Sequence, residues 1–162
     1  MRKGQKRMVA VLLAPAMVLT ALPLTALSAF AETSGDFTYA VLSEADKTCA
    51  IASYTGTAAS VTVPATLNGY AVTRIGSSAC AENTSLTDAT LAEGGVAIEE
   101  GAFYGCPALH TVRLPSTMQT LADFAFFFCT ALTNISGASG NPNFVSDNSA
   151  FYACCARKNA LL

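Results

Sequence analysis

The sequence is poor in the side chains on which most catalytic and metal sites depend. His110 is the single histidine among 162 residues, and charged residues make up 12% of the chain. No HExxH, phosphate-loop, Gly-x-Ser-x-Gly or EF-hand pattern occurs. A catalytic nucleophile needs a base beside it, and one histidine offers little choice of one. We therefore predict that the protein is not an enzyme and holds neither a cofactor nor a metal.

Cysteine is present, but it does not follow a metal-ligand spacing. None of the six cysteines forms a Cys-x-x-Cys pair, and the adjacent Cys154 and Cys155 have no histidine near them. Glu99 and Glu100 form an acidic pair that could attract a cation. Adjacent residues usually point in different directions, so a solvated turn is the better interpretation of that pair.

Basic residues are also scarce beyond the N-terminal segment. Removal of residues 1–31 would leave five Lys and Arg against eleven Asp and Glu. Because no basic cluster remains, nucleic acid and anionic membrane surfaces are poor candidates for partners.

Residues 1–31 predict a secretory signal peptide. Four basic residues lie within the first seven, an apolar stretch covers 9–27, and Ala29-Phe30-Ala31 matches a cleavage site. The alternative is an uncleaved membrane anchor, since the apolar stretch approaches spanning length. Two prolines in that region and the cleavage site favour removal after Ala31. We expect a bacterial protein that is secreted or at the cell surface, with no stable membrane span after cleavage.

Positions in the middle of the chain repeat every 23 residues. Five apolar positions stay in phase over three units, which chance rarely produces. A period in the twenties with Leu-x-x-Leu-x-Leu spacing is typical of leucine-rich-repeat solenoids, which mostly present binding surfaces. The five sets are Ile75, Ile98 and Leu121; Ala79, Ala102 and Ala125; Cys80, Phe103 and Phe126; Leu86, Leu109 and Leu132; and Ala89, Val112 and Ile135.

This pattern predicts a β-rich solenoid, a short right-handed leucine-rich-repeat coil. Alternating segments at 37–42 and 48–54 predict a β-hairpin, and we assign 32–60 to an N-terminal β-hairpin cap. Residues 61–137 form the repeats, in which small and aromatic positions predict short helical turns and the alternating positions predict strands. Residues 138–162 are an irregular C-terminal cap or a truncated repeat.

The unit from Gly101 to Pro115 resembles the repeat of the BspA-like leucine-rich-repeat family. The third unit matches at Ala125-Phe126, Cys129, Leu132 and Ile135, and segments between 37 and 76 are also similar. The first unit departs from the pattern at Cys80, where Phe is expected, and at Asn83, where Cys is expected. The resemblance implies an exported or surface protein, and some members bind host matrix proteins or other bacteria. It implies no catalytic residues.

The repeat alignment gives most cysteines a packing role. Cys80 is expected to be a buried thiol, since a free cysteine behaves as a small hydrophobic residue. Cys106 and Cys129 would lie one coil apart, close to the roughly 4.8 Å spacing between strands. A disulfide between them fits that geometry but is not required, and the state of Cys154 and Cys155 stays open.

Polar positions of the predicted strands would form one outward face. Arg113 and His110 lie near its centre, and the threonines aligned with His110 indicate a surface position for it. The alternative is a plain solvated surface, and three or four strands give a face only about 15–20 Å across. The candidate binding residues are Thr62, Thr90, Arg113 and Ser136 in one column and Thr87, His110 and Thr133 in another, with Asp88, Thr111 and Asn134 between them.

We therefore predict an exported, non-enzymatic leucine-rich-repeat protein that mediates adhesion-type binding at the cell surface. The expected partner is an extracellular protein or a polysaccharide, and the ligand and oligomeric state stay open. The alternative is a structural spacer, or a truncated remnant of a longer repeat surface protein.

Overall fold

The structure, a computed structural model, describes residues 31–138, 141–146 and 149–154. Apart from Ala31, the predicted signal peptide lies outside these residues. So do 139–140, 147–148 and 155–162 of the predicted C-terminal segment, including Cys155. Ala31 begins the first strand, so cleavage after it would leave that strand starting at Glu32.

Short strands run through the whole described part of the chain, in which no helix occurs. Seven-residue strands appear only near its start, and strands in the repeats have two to six residues. In chain order the strands are β1 (Ala31–Ser34), β2 (Phe37–Ser43), β3 (Thr48–Tyr54), β4 (Ser60–Val63), β5 (Thr66–Leu67), β6 (Tyr70–Ile75), β7 (Asp88–Leu91), β8 (Ala97–Ile98), β9 (Thr111–Arg113), β10 (Thr120–Leu121), β11 (Asn134–Ser136) and β12 (Val145–Ser146).

The larger sheet, sheet A, joins the N-terminal strands to the repeats. Its order is β1-β2-β3-β6-β8-β10-β12, with β5 paired to β6. The first three strands are antiparallel, and every pair along the order from β3 onward is parallel. The predicted hairpin is thus present as β2 and β3, and β3 covers the edge of the first coil by pairing with β6.

The smaller sheet, sheet B, takes one strand from each coil. Its order is β11-β9-β7-β4, and all three pairs are parallel. Since side chains alternate along a strand, one face of this sheet is inward throughout. On it Val61 pairs with Ala89, Ala89 with Val112 and Val112 with Ile135. The chain therefore winds as a β-solenoid of about four turns.

Stacked identical positions fill the core. All residues of the five predicted sets are buried, as are the ring columns on the turn side of each coil. Phe103 stacks on Phe126 at a centroid distance of 5.2 Å, and Phe126 stacks on Phe151 at 5.4 Å. No polar or charged side chain is buried among the described residues. The coils are thus held by apolar burial, which is non-directional, and by directional main-chain bonds.

The predicted short helical turns are wrong. The segments 77–82, 99–105 and 122–128 are chains of tight turns. Their N–H groups donate to the next coil, as from Cys80 to Ala102 at 2.7 Å, rather than four residues back as in a helix. Two positions per coil also have left-handed backbone, which an α-helix of L-residues excludes. They are Ser78, Gly101 and Phe124, and Glu82, Gly105 and Phe128.

One repeat position donates a side-chain hydrogen bond to the carbonyl of an earlier coil. Asparagine fills this position once and cysteine three times, because both carry a donor. Asn83 therefore keeps the function of the position in spite of its departure from the family pattern. The bonds are Asn83 Nδ2 to Gly56 O (3.1 Å), Cys106 Sγ to Cys80 O (3.1 Å), Cys129 Sγ to Phe103 O (3.0 Å) and Cys154 Sγ to Phe126 O (2.6 Å).

The cysteines of the described residues are free thiols, so Cys106 and Cys129 stack without a disulfide. Cys154 is the fourth member of this column. It lies 25 rather than 23 residues after Cys129, and the longer final loop hid it from the repeat alignment. Cys80 is buried, as predicted, at the head of the ring column.

Substitution of Gly137 tests how closely the coils approach. A Cβ on Gly137 would lie 1.9 Å from the Leu114 carbonyl oxygen, and Gly137 has a φ of +92°. We expect Gly137→Ala to lower the free energy of unfolding by about 2–4 kcal/mol, from backbone strain plus overpacking. Gly94→Ala is the matched control, since its φ is +103° with no atom within 4 Å. Equal losses in urea denaturation would contradict the close contact.

The pH dependence of stability tests the burial of Cys80. Burial, and then the neighbouring Cys106 thiol, raises the pKa of Cys80 from 9.0 to about 12. Its contribution to stability is therefore fully present below pH 9 and is lost as the pH rises towards 12. We expect the free energy of unfolding to fall in this window by up to about 1.4 kcal/mol per pH unit for this one proton.

Cys80→Ala should make that decline shallower by up to one proton, as measured by urea titrations at several alkaline pH values. Other groups that titrate in the same window cancel in the comparison of the two slopes. Identical slopes would mean that Cys80 ionises alike in the folded and unfolded chain.

Candidate binding surfaces

The outward side of sheet B brings together the first predicted column. Thr62 pairs with Thr90, Thr90 with Arg113 and Arg113 with Ser136, all as direct neighbours across parallel strands. Thr62, Arg113 and Ser136 are exposed, and Thr90 is half-buried. The 23-residue period therefore places four polar side chains in one line across the coils.

The second predicted column lies just before the strands. Main-chain bonds link its members, from His110 N to Thr87 O (2.8 Å) and from Thr133 N to His110 O (3.1 Å). The Thr87 hydroxyl lies 2.9 Å from Ala59 O and 2.7 Å from Asp88 Oδ2, so its proton is engaged within the protein. Thr133 and His110 are exposed. These two are the members of the column that a partner can reach.

His110 holds its ring against its own loop. Nδ1 lies 2.6 Å from the Ala108 carbonyl oxygen. Because a carbonyl only accepts, we assign the proton of the neutral ring to Nδ1, which leaves Nε2 as an outward acceptor. Within the described ranges no carboxylate or nucleophile is hydrogen-bonded to this ring. The arrangement supports surface recognition by His110.

Sheet register adds polar residues that the sequence analysis placed between the columns without making them candidates. Ser60 pairs with Asp88, Asp88 with Thr111 and Thr111 with Asn134. These residues lie two positions before the Arg113 column and so share its face. The period-2 alternation already visible in the sequence is the signal that identifies them.

Arg113 is the basic group at the centre of this face. The ion pairs of the described residues are Lys47 with Glu44 (2.9 Å) and Arg74 with Glu99 (3.5 Å), and neither includes Arg113. Its guanidinium donors are therefore available to a partner, and arginine is enriched at protein interfaces.

A second surface lies on the turn side of the coils, and the sequence analysis missed it. Tyr104 stacks on Phe127, and Phe127 stacks on Tyr152, each at a centroid distance of 5.5 Å. Phe124 and Phe128 meet the Phe127 ring edge-on at 5.4 and 4.4 Å. We call these five residues the aromatic cluster. All are exposed except Phe127, which is half-buried.

The turn-side pocket opens beside the aromatic cluster. Its volume is about 580 Å³, within the roughly 300–1,000 Å³ that is usual for ligand pockets. The lining residues are Ser77, Ser78, Glu100, Gly101, Tyr104, Phe124 and Phe127. Sequence reasoning assigned the aromatic positions to the core. The missed signal was the 23-residue spacing of Tyr104 and Phe127, one residue after the core phenylalanines.

Two further classes of site do not appear among residues 31–138, 141–146 and 149–154. These residues contain no group of three or more His, Cys, Asp or Glu that could hold a metal ion. In the same residues no helix is long and apolar enough to cross a membrane.

Parallel strands stacked at a 23-residue period, with one inward and one outward face, define a leucine-rich-repeat solenoid. The family model for the BspA type leucine rich repeat region matches residues 53–161. The chain belongs to this family, and the predicted resemblance is confirmed.

Solved structures support the same fold. A leucine-rich repeat protein from Bacteroides capillosus is 25% identical with a TM-score of 0.68, over 79% of this chain and 94% of that one. A leucine rich cell surface protein from Faecalibacterium prausnitzii is 32% identical with a TM-score of 0.57, over 64% of this chain and 29% of that one. The leucine rich repeat protein of T. pallidum is 24% identical with a TM-score of 0.60, over 65% of this chain and 49% of that one.

No curated protein matches the chain significantly. The chain spans about half the length of the T. pallidum protein and less than a third of the F. prausnitzii protein. What those longer proteins bind therefore does not follow for this chain from similarity alone.

Proposed function

We propose that the protein is exported and acts as a non-enzymatic, adhesion-type interaction module at the cell surface. Its partner is an extracellular protein or a polysaccharide, which binds the outward face of sheet B. Membership of the BspA type family and similarity to a leucine rich cell surface protein support this role.

The observation that carries the proposal is the aligned column with Arg113 near its centre. Thr62, Thr90 and Ser136 flank Arg113 in direct cross-strand register. Hydroxyl groups both donate and accept hydrogen bonds, and the guanidinium adds five donors in a planar fork. Such a face matches the carbonyl and carboxylate groups of proteins and the hydroxyls of glycans.

The small size of the face sets the expected binding regime. Four strands at about 4.8 Å spacing present a width of roughly 15–20 Å, well below that of a standard protein–protein interface. A single copy should therefore bind weakly, and several copies on one cell would raise the effective affinity.

Replacement of Arg113 is the direct test of this face. Binding of the protein to a panel of extracellular matrix proteins and glycans is measured first, to find a ligand. Arg113→Ala should then weaken binding about tenfold, as expected for loss of a central interface arginine. Arg74→Ala is the matched control, because Arg74 is equally exposed but pairs with Glu99 away from this face. We expect its affinity to stay within about twofold of wild type.

Equal effects of the two arginine substitutions would rule out sheet B as the binding face. Failure of every ligand to bind, with the fold intact, would favour the alternative of a structural spacer within a surface assembly.

Export has its own test. We expect mass spectrometry of the protein recovered outside the producing cells to show an N-terminus at Glu32, since cleavage should follow Ala31. Protein that keeps Met1 and sediments with membranes would instead support the uncleaved anchor.

A further inference from the structure

Two exposed phenylalanines of the aromatic cluster adopt left-handed backbone. Phe124 has a φ of 55° and Phe128 a φ of 58°. Their side chains are 40% and 49% exposed. A bulky residue with positive φ is an outlier, because its Cβ crowds the neighbouring carbonyl. Both residues thus combine strained backbone with apolar surface in water.

Folding does not require phenylalanine at these two places. The coil before them has Gly101 and Gly105 at the equivalent positions, with φ of 61° and 65°. Glycine takes this conformation without strain. Strain and apolar exposure that the fold can avoid point to a functional surface.

Glycine also makes room for the pocket. Gly101 lies in the column between Ser78 and Phe124, and a Cβ there would be 3.6 Å from Ser78 Oγ and 3.7 Å from Tyr104 Cβ. The missing side chain leaves the space that Phe124 fills one coil later. The turn-side pocket therefore exists because one coil carries small residues beside a coil that carries rings.

The charge of the pocket indicates the chemistry of its occupant. Glu100 is the charged residue of the lining, which contains no Lys, Arg or His. Two of the three basic side chains in the described residues, Lys47 and Arg74, are paired with other glutamates. An aromatic face attracts a cation through its negative electrostatic potential, and a carboxylate adds a charged hydrogen-bond acceptor.

We propose that the turn-side pocket binds a cationic side chain, arginine or lysine, on an exposed segment of an extracellular protein partner. Tyr104, Phe124 and Phe127 contact the cation and its aliphatic stem, and Glu100 accepts its hydrogen bonds. The pocket is a second site, distinct from the face that contains Arg113. The two sites fail separately, because substitutions in the pocket leave sheet B unchanged.

The test uses the whole chain and two peptides that differ only in charge. The probe is the blocked tripeptide acetyl-Gly-Arg-Gly-amide, and its control replaces arginine by the neutral isostere citrulline. We expect the arginine peptide to bind at least about tenfold more tightly at low salt, since both the ring faces and Glu100 require the cation. Titration followed by NMR chemical shifts measures both affinities.

Variants separate the contributions of charge, rings and space. We expect Glu100→Gln to weaken the arginine peptide about fivefold and Phe124→Ala about tenfold. Gly101→Phe should abolish binding by filling the pocket, although it adds apolar surface. The controls, Glu93→Gln and Leu42→Ala, change a glutamate bonded to Ser116 and an exposed leucine on β2, neither of which lines the pocket.

Several results would overturn the proposal. These are equal binding of the citrulline peptide, undiminished binding by Gly101→Phe, or no binding of the arginine peptide at about 10 mM, the range expected for so small a ligand. Binding of a chitooligosaccharide that is lost in Phe124→Ala but unchanged in Glu100→Gln, with no arginine binding, would assign the pocket to glycans. Circular dichroism of each variant establishes that the fold is intact, and Glu100→Gln changes only a surface group.

Discussion

Main-chain hydrogen bonds between successive coils are the interaction on which the rest of this molecule depends. In both sheets, and along the turns as well, N–H groups of one coil meet carbonyl oxygens of the next. Because these bonds are directional, they hold each coil in register with its neighbour at about 4.8 Å. A residue chosen at one repeat position is therefore repeated as a column, either inside the core or on the surface.

Register makes adjacent residues serve opposite purposes. Phe103, Phe126 and Phe151 stack inside the core, whereas the residues that follow them form an outer ring column at nearly the same spacing. The same logic explains the donor column. Asn83 and three cysteines differ in chemistry, yet each ties its side chain to an earlier coil, since the position demands a donor rather than a particular residue.

The two outward surfaces differ in the partners that they suit. Sheet B presents hydroxyls, amides and an unpaired Arg113, which favours hydrogen bonding to polar groups. The turn side presents rings beside Glu100 and no basic group in the pocket lining, which favours a cation. A small solenoid with two dissimilar faces can contact two groups at once, and weak individual contacts then gain from multivalency.

Periodicity alone determined the solenoid, its family, the core positions from Ile75 to Ile135 and the column containing Arg113. These follow from the sequence because a repeat of fixed length forces equivalent residues to stack. The backbone of the turns, the fourth member of the cysteine column and the pocket beside Gly101 were decided only by tertiary structure. Left-handed residues such as Phe124 have no clear local signature, the final loop changes the spacing to 25 residues, and a pocket depends on side chains from different coils.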